Sequence, residues 1–234
     1  MSISEQLTQE INEILEAKWT TVDAHDVPEA EKVALGNQAK KIEATVLYAD
    51  LADSTDLVDG YKDWFAAEVY KTYLNLACRL IRANGGEITA FDGDRVMAVF
   101  TGSNKNSSAT KTGLQINYAV RNILNPALKT KYPSTAYQVE QAVGIDTGSL
   151  FIAKTGIRGS NDLVWVGRAA NYAAKLCSLR EDGYATYITE DVYKKLNESS
   201  KYGGDTDKKD MWEKHMWSDM GIAVYRSNWW WTPA

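Results

Sequence analysis

The sequence predicts an α+β fold that is built on a ferredoxin-like β-α-β-β-α-β unit over residues 44–153. The first observation is the alternation of short apolar runs, rich in β-branched and aromatic residues, with two long stretches of helical periodicity. The second is an Asp-Gly pair at 92–93 between two such runs, which is a strong hairpin signal. The third is the segment Asn-Gly-Gly at 84–86, which is typical of a helix end.

The individual elements follow from the same periodicities and from the glycine and proline stop signals between them. In chain order, we expect a strand at 44–51, a helix at 62–84, strands at 87–91 and 95–101, a helix at 107–128, strands at 137–145, 149–153 and 162–166, a helix at 167–179, a strand at 184–188, a helix at 190–196 and a closing strand at 222–231. The strands before and after Thr147-Gly148 are expected to form a hairpin. The closing strand lies in a tryptophan-rich segment.

Residues 1–41 are expected to form an N-terminal helix and a linker, and 42–234 to form the main domain. Ser2 and Glu5 make a possible capping box, and apolar residues at helical spacing follow them. The apolar stripe consists of Ile3, Leu7, Ile11, Ile14 and Leu15. We expect a helix up to residue 20 that packs against the domain or against a second copy of the chain. The polar residues 21–41 are expected to be a linker with a short helix.

The bulk composition restricts the partners of the protein. A formal net charge of -5 argues against a nucleic-acid partner that is held by bulk electrostatics. The two cysteines, Cys78 and Cys177, are far apart and lack CxxC spacing, which favours a reducing compartment. We find neither a bilayer-spanning apolar stretch nor a signal-peptide pattern. We therefore expect a cytoplasmic protein with no membrane and no nucleic-acid partner.

Two acidic residues lie where neighbouring strands of the predicted unit end. Asp50 ends the first strand, and Asp94 lies at the tip of the hairpin. In a ferredoxin-like unit the first strand lies beside this hairpin, so we expect the two carboxylates to face each other. Such oxygen ligands with open positions suit Mg²⁺ or Mn²⁺. From the spacing alone, two unrelated surface acids remain the alternative.

The loop after Asp50 adds a weaker signal. Ser54 and Thr55 follow a strand and precede a helix, where backbone N–H groups can bind phosphate oxygens. Many βα loops have this property, so the loop gains meaning only beside the carboxylate pair.

Four segments, in order over residues 44–180, resemble motifs of the class III nucleotide cyclases. YADLADST is similar to the first metal-binding motif of that family, and GGEITAFDGDRVMAVF is similar to the second. VGIDTGSLFIAKTG resembles the strand pair that follows, and VWVGRAANYAAKL resembles the G-x-x-V-N-x-A-A-R-L helix. The resemblance implies the catalytic domain of this family, in which a ferredoxin-like core is extended by further strands and helices.

The same resemblance implies a site with two divalent metal ions, Mn²⁺ or Mg²⁺. Asp50 and Asp94 would each bridge both ions, and the Leu51 carbonyl would complete one of the two sites. Asn171 matches the asparagine that holds the ribose of a nucleoside triphosphate. Lys175 stands where the family has its transition-state arginine, four residues further on the same helix face.

In the family, the metal residues and this helix come from different subunits. The resemblance therefore implies a homodimer with its active sites at the interface. Because lysine offers a point charge and not a planar fork, it is not equivalent to arginine. Either Lys175 suffices, or Arg168 or Arg180 supplies the charge.

The residue pair that reads purines in the family is missing. Ala90 stands where adenylate cyclases have a lysine, and Val164 stands at the partnering position. Guanylate cyclases typically have Glu and Cys at these places. Tyr48, Arg95 and Trp165 lie near the predicted pocket and are candidates for contacts with a smaller base or its phosphates.

The missing pair makes the chain similar to the stand-alone bacterial pyrimidine cyclases of antiphage defence. That resemblance implies conversion of UTP to 3′,5′-cyclic UMP and pyrophosphate, as a second messenger in antiviral defence. One alternative is a cyclase that uses CTP or a purine nucleotide. The other is a catalytically silent, cyclase-like module that only binds nucleotide, which the lysine at position 175 motivates.

Overall fold

The computed structural model describes residues 1–181, 183–204 and 206–233. The strands are β1 (Thr20–Asp23), β2 (Gln38–Leu51), β3 (Glu87–Asp92), β4 (Arg95–Phe100), β5 (Gln141–Ile157), β6 (Ser160–Val166), β7 (Thr186–Thr189), β8 (Tyr202–Gly203), β9 (Lys209–Asp210), β10 (Glu213–Trp217) and β11 (Ile222–Ser227). The helices are α1 (Ile3–Glu16), α2 (Ser54–Gly60), α3 (Asp63–Ala83), α4 (Lys105–Ala119), α5 (Asn125–Lys131), α6 (Arg168–Leu176), α7 (Glu190–Lys194) and α8 (Glu198–Lys201). A π-helical turn, Val120–Leu124, joins α4 to α5, so the second long helix that the sequence predicts is interrupted.

The main sheet has the strand order β10-β11-β7-β5-β2-β4-β3. β2 lies antiparallel to β4 on one side and to β5 on the other, and β3 and β4 form the predicted hairpin. With α3 and α4 as the connections, β2-α3-β3-β4-α4-β5 is the ferredoxin-like unit. β7, β11 and β10 extend the sheet beyond β5. In addition, β1 pairs with β2, and β6 pairs with β5. The α+β prediction is confirmed.

The alternation of side chains along β2 decides which of them reach the site. Leu47 and Leu51 face the core that α3 and α4 cover. Val46 and Tyr48 face the opposite core, which α6 covers. Asp50 continues this second row, so its carboxylate lies at the end of the strand on the α6 face of the sheet.

The prediction of a hairpin across Thr147-Gly148 is wrong, because both residues lie inside the continuous strand β5. β2 pairs with both residues, since Thr147 is opposite Thr45 and Gly148 is opposite Ala44, and this pairing favours an extended backbone. Thr147 Oγ1 also donates a hydrogen bond to the Ala44 carbonyl at 3.1 Å. The chain reverses instead between β5 and β6, where Gly156 and Gly159 have φ angles of 100° and 88°.

Residues 21–41 differ from the expected polar linker, because they contain strand at both ends. β1 pairs in parallel with residues 38–41 at the start of β2. The helical part is a 3₁₀ turn, Ala30–Lys32. The boundary expected after residue 41 falls inside β2. The polar composition hid the start of β2, because Ala39 is the only apolar residue in 38–41 and the only one of the four that is buried.

The N-terminal helix α1 carries the capping box that the sequence predicts. Ser2 Oγ accepts a hydrogen bond from Glu5 N at 3.3 Å, and Glu5 Oε2 accepts one from Ser2 N at 2.6 Å. At the other end, Asn37 Nδ2 donates to the carbonyls of Ile14 and Ala17. No side chain of α1 is buried by the part of the chain that the structure describes. The predicted contact with the domain is therefore wrong, and contact with a second copy stays a prediction.

The C-terminal segment forms a strand and then crosses α4. β11 ends at Ser227, earlier than expected, and β10 is a strand that the sequence did not predict. Asn117 Nδ2 donates to the Trp229 carbonyl at 2.8 Å, and Trp231 N donates to the Leu114 carbonyl at 3.1 Å. The tryptophan-rich tail thus covers the helix that supports the central strands.

Candidate active site

The structure brings the two predicted metal ligands to one cavity. Asp50 lies at the end of β2, directly opposite Arg95 at the start of β4. Asp94 precedes Arg95 in the hairpin turn, where Gly93 has a φ of 61°. Both aspartates line a cavity of about 520 Å³, and the backbone of Leu51 lines it with them. The prediction that the first strand lies beside the hairpin is therefore confirmed.

The neighbouring carboxylates of Asp50 and Asp94 favour the binding of a cation between them. Burial raises the pKa of Asp50 above its usual value, and the negative charge of Asp94 raises it further. Asp94 Oδ2 is buried and has no hydrogen-bond partner among the described residues. A buried carboxylate oxygen without a partner is costly, so a bound cation would relieve it.

Arg180 supplies the positive charge nearest to Asp50. Its Nη2 lies 3.2 Å from Asp50 Oδ2 and 3.2 Å from the Leu51 carbonyl oxygen. A guanidinium thus contacts two of the oxygens that the sequence predicts as metal ligands. The set of a carboxylate pair and a carbonyl fits a hard divalent ion such as Mg²⁺ or Mn²⁺. Within the described ranges, no group of three or more His, Cys, Asp or Glu side chains is gathered for a metal.

The loop between β2 and α2 borders the same cavity. Ser54 and Thr55 line it at the start of α2. Asp53 before them has φ 52° and ψ 37°, the only positive φ of a non-glycine residue in the described part of the chain. A left-handed conformation costs roughly 1 kcal/mol for such a residue, and strained residues of this kind cluster at functional sites. No local sequence pattern predicted this conformation.

Tyr48 and Arg95 lie beside the carboxylates on the same face of the sheet. The guanidinium of Arg95 stands over the Tyr48 ring at 5.4 Å and pairs with Asp92 Oδ2 at 2.7 Å. Burial raises the pKa of Tyr48, although Arg95 opposes the shift. Ala90 packs against the same core from β3. Arg95 lines the cavity, whereas Tyr48 and Ala90 do not line it and pack against the core that α6 covers.

Val164 and Trp165 lie far from the metal ligands within one chain. Val164 is opposite Ala153 on β5, whereas Asp50 is opposite Ala142 on the same strand. Eleven residues of strand separate these two partners, which corresponds to roughly 36 Å. Trp165 is partly buried beside the α6 core, and Val164 is exposed. One chain therefore does not bring these two residues to its own carboxylate pair.

Asn171 and Lys175 are also separate from the carboxylate cavity. Both side chains project from α6 into solvent, and neither lines that cavity. Lys175 Nζ lies 3.7 Å from Met220 Sδ. Arg168, the alternative source of charge, pairs with Asp191 and approaches the buried Asp146 at 3.3 Å. A single chain thus carries the predicted metal half and the predicted ribose half as two distinct surfaces.

Two buried groups beneath the carboxylates were not predicted as part of the site. Tyr73 on α3 is fully buried, and its hydroxyl has no partner among the described residues. Burial raises the pKa of Tyr73 well above its usual value, and Asp50 adds to the shift. Cys177 is buried at the end of α6 and donates to the Ala174 carbonyl at 3.0 Å. Both positions follow ordinary helical periodicity, so no local pattern distinguished them from core residues.

Curated relatives with a common name match the chain over its whole length, although no protein-family model matches it. The uridylate cyclase of Xanthomonas perforans is 49% identical over 233 residues, which is 99% of each chain. The uridylate cyclase of Burkholderia cepacia is 49% identical over 234 residues, which cover 99% of this chain and 100% of that one.

Solved structures with the same fold are nucleotide cyclases. A bacterial light-regulated adenylyl cyclase superposes with a TM-score of 0.68 at 24% identity, over 81% of this chain and 52% of that one. A dimeric guanylyl cyclase domain from Blastocladiella emersonii superposes with a TM-score of 0.62 at 14% identity, over 81% of this chain and 98% of that one. These likenesses establish the fold, and the full-length relatives establish the family. The chain therefore belongs to the uridylate cyclases and is a nucleotidyl cyclase with the class III catalytic fold.

Proposed function

We propose that the protein is a metal-dependent uridylate cyclase that converts UTP to 3′,5′-cyclic UMP and pyrophosphate. The observation that carries the proposal is the pair of Asp50 and Asp94 at one cavity, with a buried oxygen of Asp94 lacking a partner among the described residues. The names of the two 49% identical relatives support uracil as the base.

In this proposal, Asp50, Asp94 and the Leu51 carbonyl hold two divalent ions, Mn²⁺ or Mg²⁺. When bound there, the ions would lower the pKa of the ribose 3′-hydroxyl and would neutralise charge on the departing pyrophosphate. Asn171 positions the ribose, and Lys175 places positive charge at the α-phosphate. The 3′-oxygen forms a bond to the α-phosphorus, the bond to the pyrophosphate oxygen breaks, and the hydroxyl proton is released.

The base and the triphosphate would meet different groups. Ala90 and Val164 offer no side-chain hydrogen bond to a purine, which favours a pyrimidine. Tyr48, Arg95 and, from a second copy of the chain, Trp165 are the proposed base contacts. The Tyr48–Arg95 stack at 5.4 Å gives two of them a defined position. Ser54 and Thr55, which line the carboxylate cavity, are the proposed phosphate contacts.

The separation of the two half-sites supports a homodimer with active sites at its interface. The carboxylate cavity lacks Asn171 and Lys175 of the same chain, so a second copy is the proposed source of both. The exposed apolar stripe of α1 is a further surface that a second copy is proposed to cover. Its members are Ile3, Leu7, Ile11, Ile14 and Leu15.

The biological setting that we propose is antiviral defence, with cyclic UMP as the messenger. This part rests on the resemblance of the sequence to pyrimidine cyclases of antiphage systems. No helix among the described residues is long and apolar enough to cross a membrane. A cytoplasmic location stays a prediction that rests on the two free cysteines.

The first test is turnover of UTP with Mn²⁺, followed by chromatography of the products. Asp50→Asn and Asp94→Asn should each lower the rate at least roughly a thousand-fold, because a catalytic metal supplies several kcal/mol. Asp59→Asn is the matched control, because Asp59 is exposed on α2 and does not line the cavity. Full activity of the double variant would refute the metal assignment. Nucleotide binding without pyrophosphate release would favour the silent module instead.

A further inference from the structure

Arg180 makes an unusual contact across the site. It lies in the segment after α6, yet its guanidinium reaches the end of β2, 130 residues earlier in the chain. Nη2 lies 3.2 Å from Asp50 Oδ2 and 3.2 Å from the Leu51 carbonyl oxygen. Nη1 donates to the Cys177 and Leu179 carbonyls, so the end of α6 orients the guanidinium.

Arg180 is the cationic side chain that pairs with Asp50. Arg95 is directly opposite Asp50 in the register, but its ion pair is with Asp92 at 2.7 Å. Among the described residues, Asp50 therefore has Arg180 as its ion-pair partner. The Arg180 side chain is 32% exposed and that of Asp50 is 15% exposed, so the arginine has an open path away from the carboxylate.

We propose that Arg180 is a built-in counter-cation, which holds Asp50 and the Leu51 carbonyl until a divalent ion displaces it. This inference rests on the proposed function, which assigns the same two oxygens to a metal. A guanidinium and a divalent ion cannot occupy one pair of oxygens, since both are positive and both need the same lone pairs. Binding of the first ion is therefore an exchange reaction, in which its affinity is reduced by the strength of the arginine contact.

The exchange has two consequences of opposite sign. Without the guanidinium, the carboxylates of Asp50 and Asp94 repel each other unrelieved, so the metal-free protein is less stable. The same loss removes the competitor and strengthens metal binding in the absence of nucleotide. A merely structural arginine would not produce the second effect, because a loosened site binds metal more weakly.

The test is Mn²⁺ binding without nucleotide, measured by the loss of the electron paramagnetic resonance signal of the free ion. Arg180→Met keeps the apolar stem and removes the charge. It should lower the Mn²⁺ dissociation constant about 2- to 5-fold, the scale of one partly exposed ion pair. Arg180→Lys keeps a competing charge, so its Mn²⁺ dissociation constant should lie between those of the wild type and Arg180→Met. Arg158→Met, in the exposed β5–β6 turn, is the control and should bind like the wild type.

A second readout is the melting temperature with and without Mn²⁺. Arg180→Met should melt below the wild type without metal, and saturating Mn²⁺ should remove the difference. If the wild type binds Mn²⁺ and Arg180→Met binds it equally or more weakly, the exchange proposal is overturned while the metal assignment stands. Failure of the wild type to bind Mn²⁺, or equal binding by Asp50→Asn, would show that the metal assignment is wrong and would overturn the exchange with it.

Discussion

At the scale of single residues, burial controls the chemistry of the thiol beneath the carboxylates. Cys177 is fully buried, and burial raises its pKa to about 12, with a further contribution from Asp50. The reactive thiolate therefore forms only near that pH, and the group stays a neutral thiol under ordinary conditions. Cys78 is partly exposed, and burial raises its pKa as well.

These pKa shifts predict how the two thiols react with iodoacetamide at pH 8. Cys177 should remain unmodified in the folded protein and become labelled after unfolding in guanidinium chloride, whereas Cys78 should react slowly in the folded state. Peptide mapping by mass spectrometry distinguishes the two sites. Rapid, stoichiometric labelling of Cys177 in the folded protein would contradict the burial of its sulfur.

Asp50 and Asp94 could be predicted as neighbours because each lies at the end of a recognisable strand, and the β-α-β-β-α-β order fixes strand adjacency. The contact between Asp50 and Arg180 could not. It depends on how the segment after α6 returns to the sheet, and 130 residues separate the partners. The left-handed backbone conformation of Asp53 could not be predicted either, since aspartate is common in ordinary loops.

At the scale of elements, the position of α6 depends on a close approach to β5. A Cβ atom added to Gly144 would lie 2.2 Å from the Ala173 carbonyl oxygen and 2.4 Å from Cys177 N. Both are backbone atoms of the helix end, so they cannot move aside without displacing α6. Position 144 requires glycine because no side chain fits between β5 and α6. Gly144 therefore determines how closely α6, which carries Asn171 and Lys175, packs on the sheet.

Gly144→Ala should therefore push α6 from the sheet and destabilise the fold by about 1–3 kcal/mol. Its activity should fall further than stability alone explains, because Asn171 and Lys175 shift with the helix. Gly148→Ala, in the same strand with no atom within 4 Å of the added Cβ, is the matched control. Urea denaturation measures both, and equal midpoints for the two variants would contradict the seating of α6.

The errors in the element assignments share a physical cause. Thr147-Gly148 has turn chemistry, but pairing with residues 44–45 of β2 keeps the backbone extended there. Residues 21–41 are polar, but pairing with the start of β2 makes part of them a strand. In both places tertiary contacts outweigh local preference, whereas the hairpin at 92–94 is governed by its own turn residues and could be predicted.

At the scale of the whole molecule, one chain presents two incomplete halves of the proposed site. Asp50 and Asp94 share a cavity that Asn171 and Lys175 do not line. If two copies complete each other, a variant that lacks one half should be rescued by a variant that lacks the other.

Mixing Asp50→Asn with Asn171→Ala should restore activity that neither variant has alone. Random exchange of subunits makes half of the dimers mixed, each with one intact site of two, so about a quarter of wild-type activity is expected. Mixing Asp50→Asn with Asp94→Asn should restore none, because both variants lack the same half. Equal results for the two mixtures after verified subunit exchange would contradict a shared site.

The choice of base is the central claim of the account, and a competition assay measures it directly. Purified protein is given UTP, CTP, ATP and GTP at equal concentrations with Mn²⁺, and the cyclic products are separated by chromatography. The product ratio reports the ratio of kcat/KM values, and cyclic UMP should exceed each other product by at least about 100-fold. A dominant cyclic CMP, cyclic AMP or cyclic GMP, or no cyclic product at all, would contradict a uridylate cyclase.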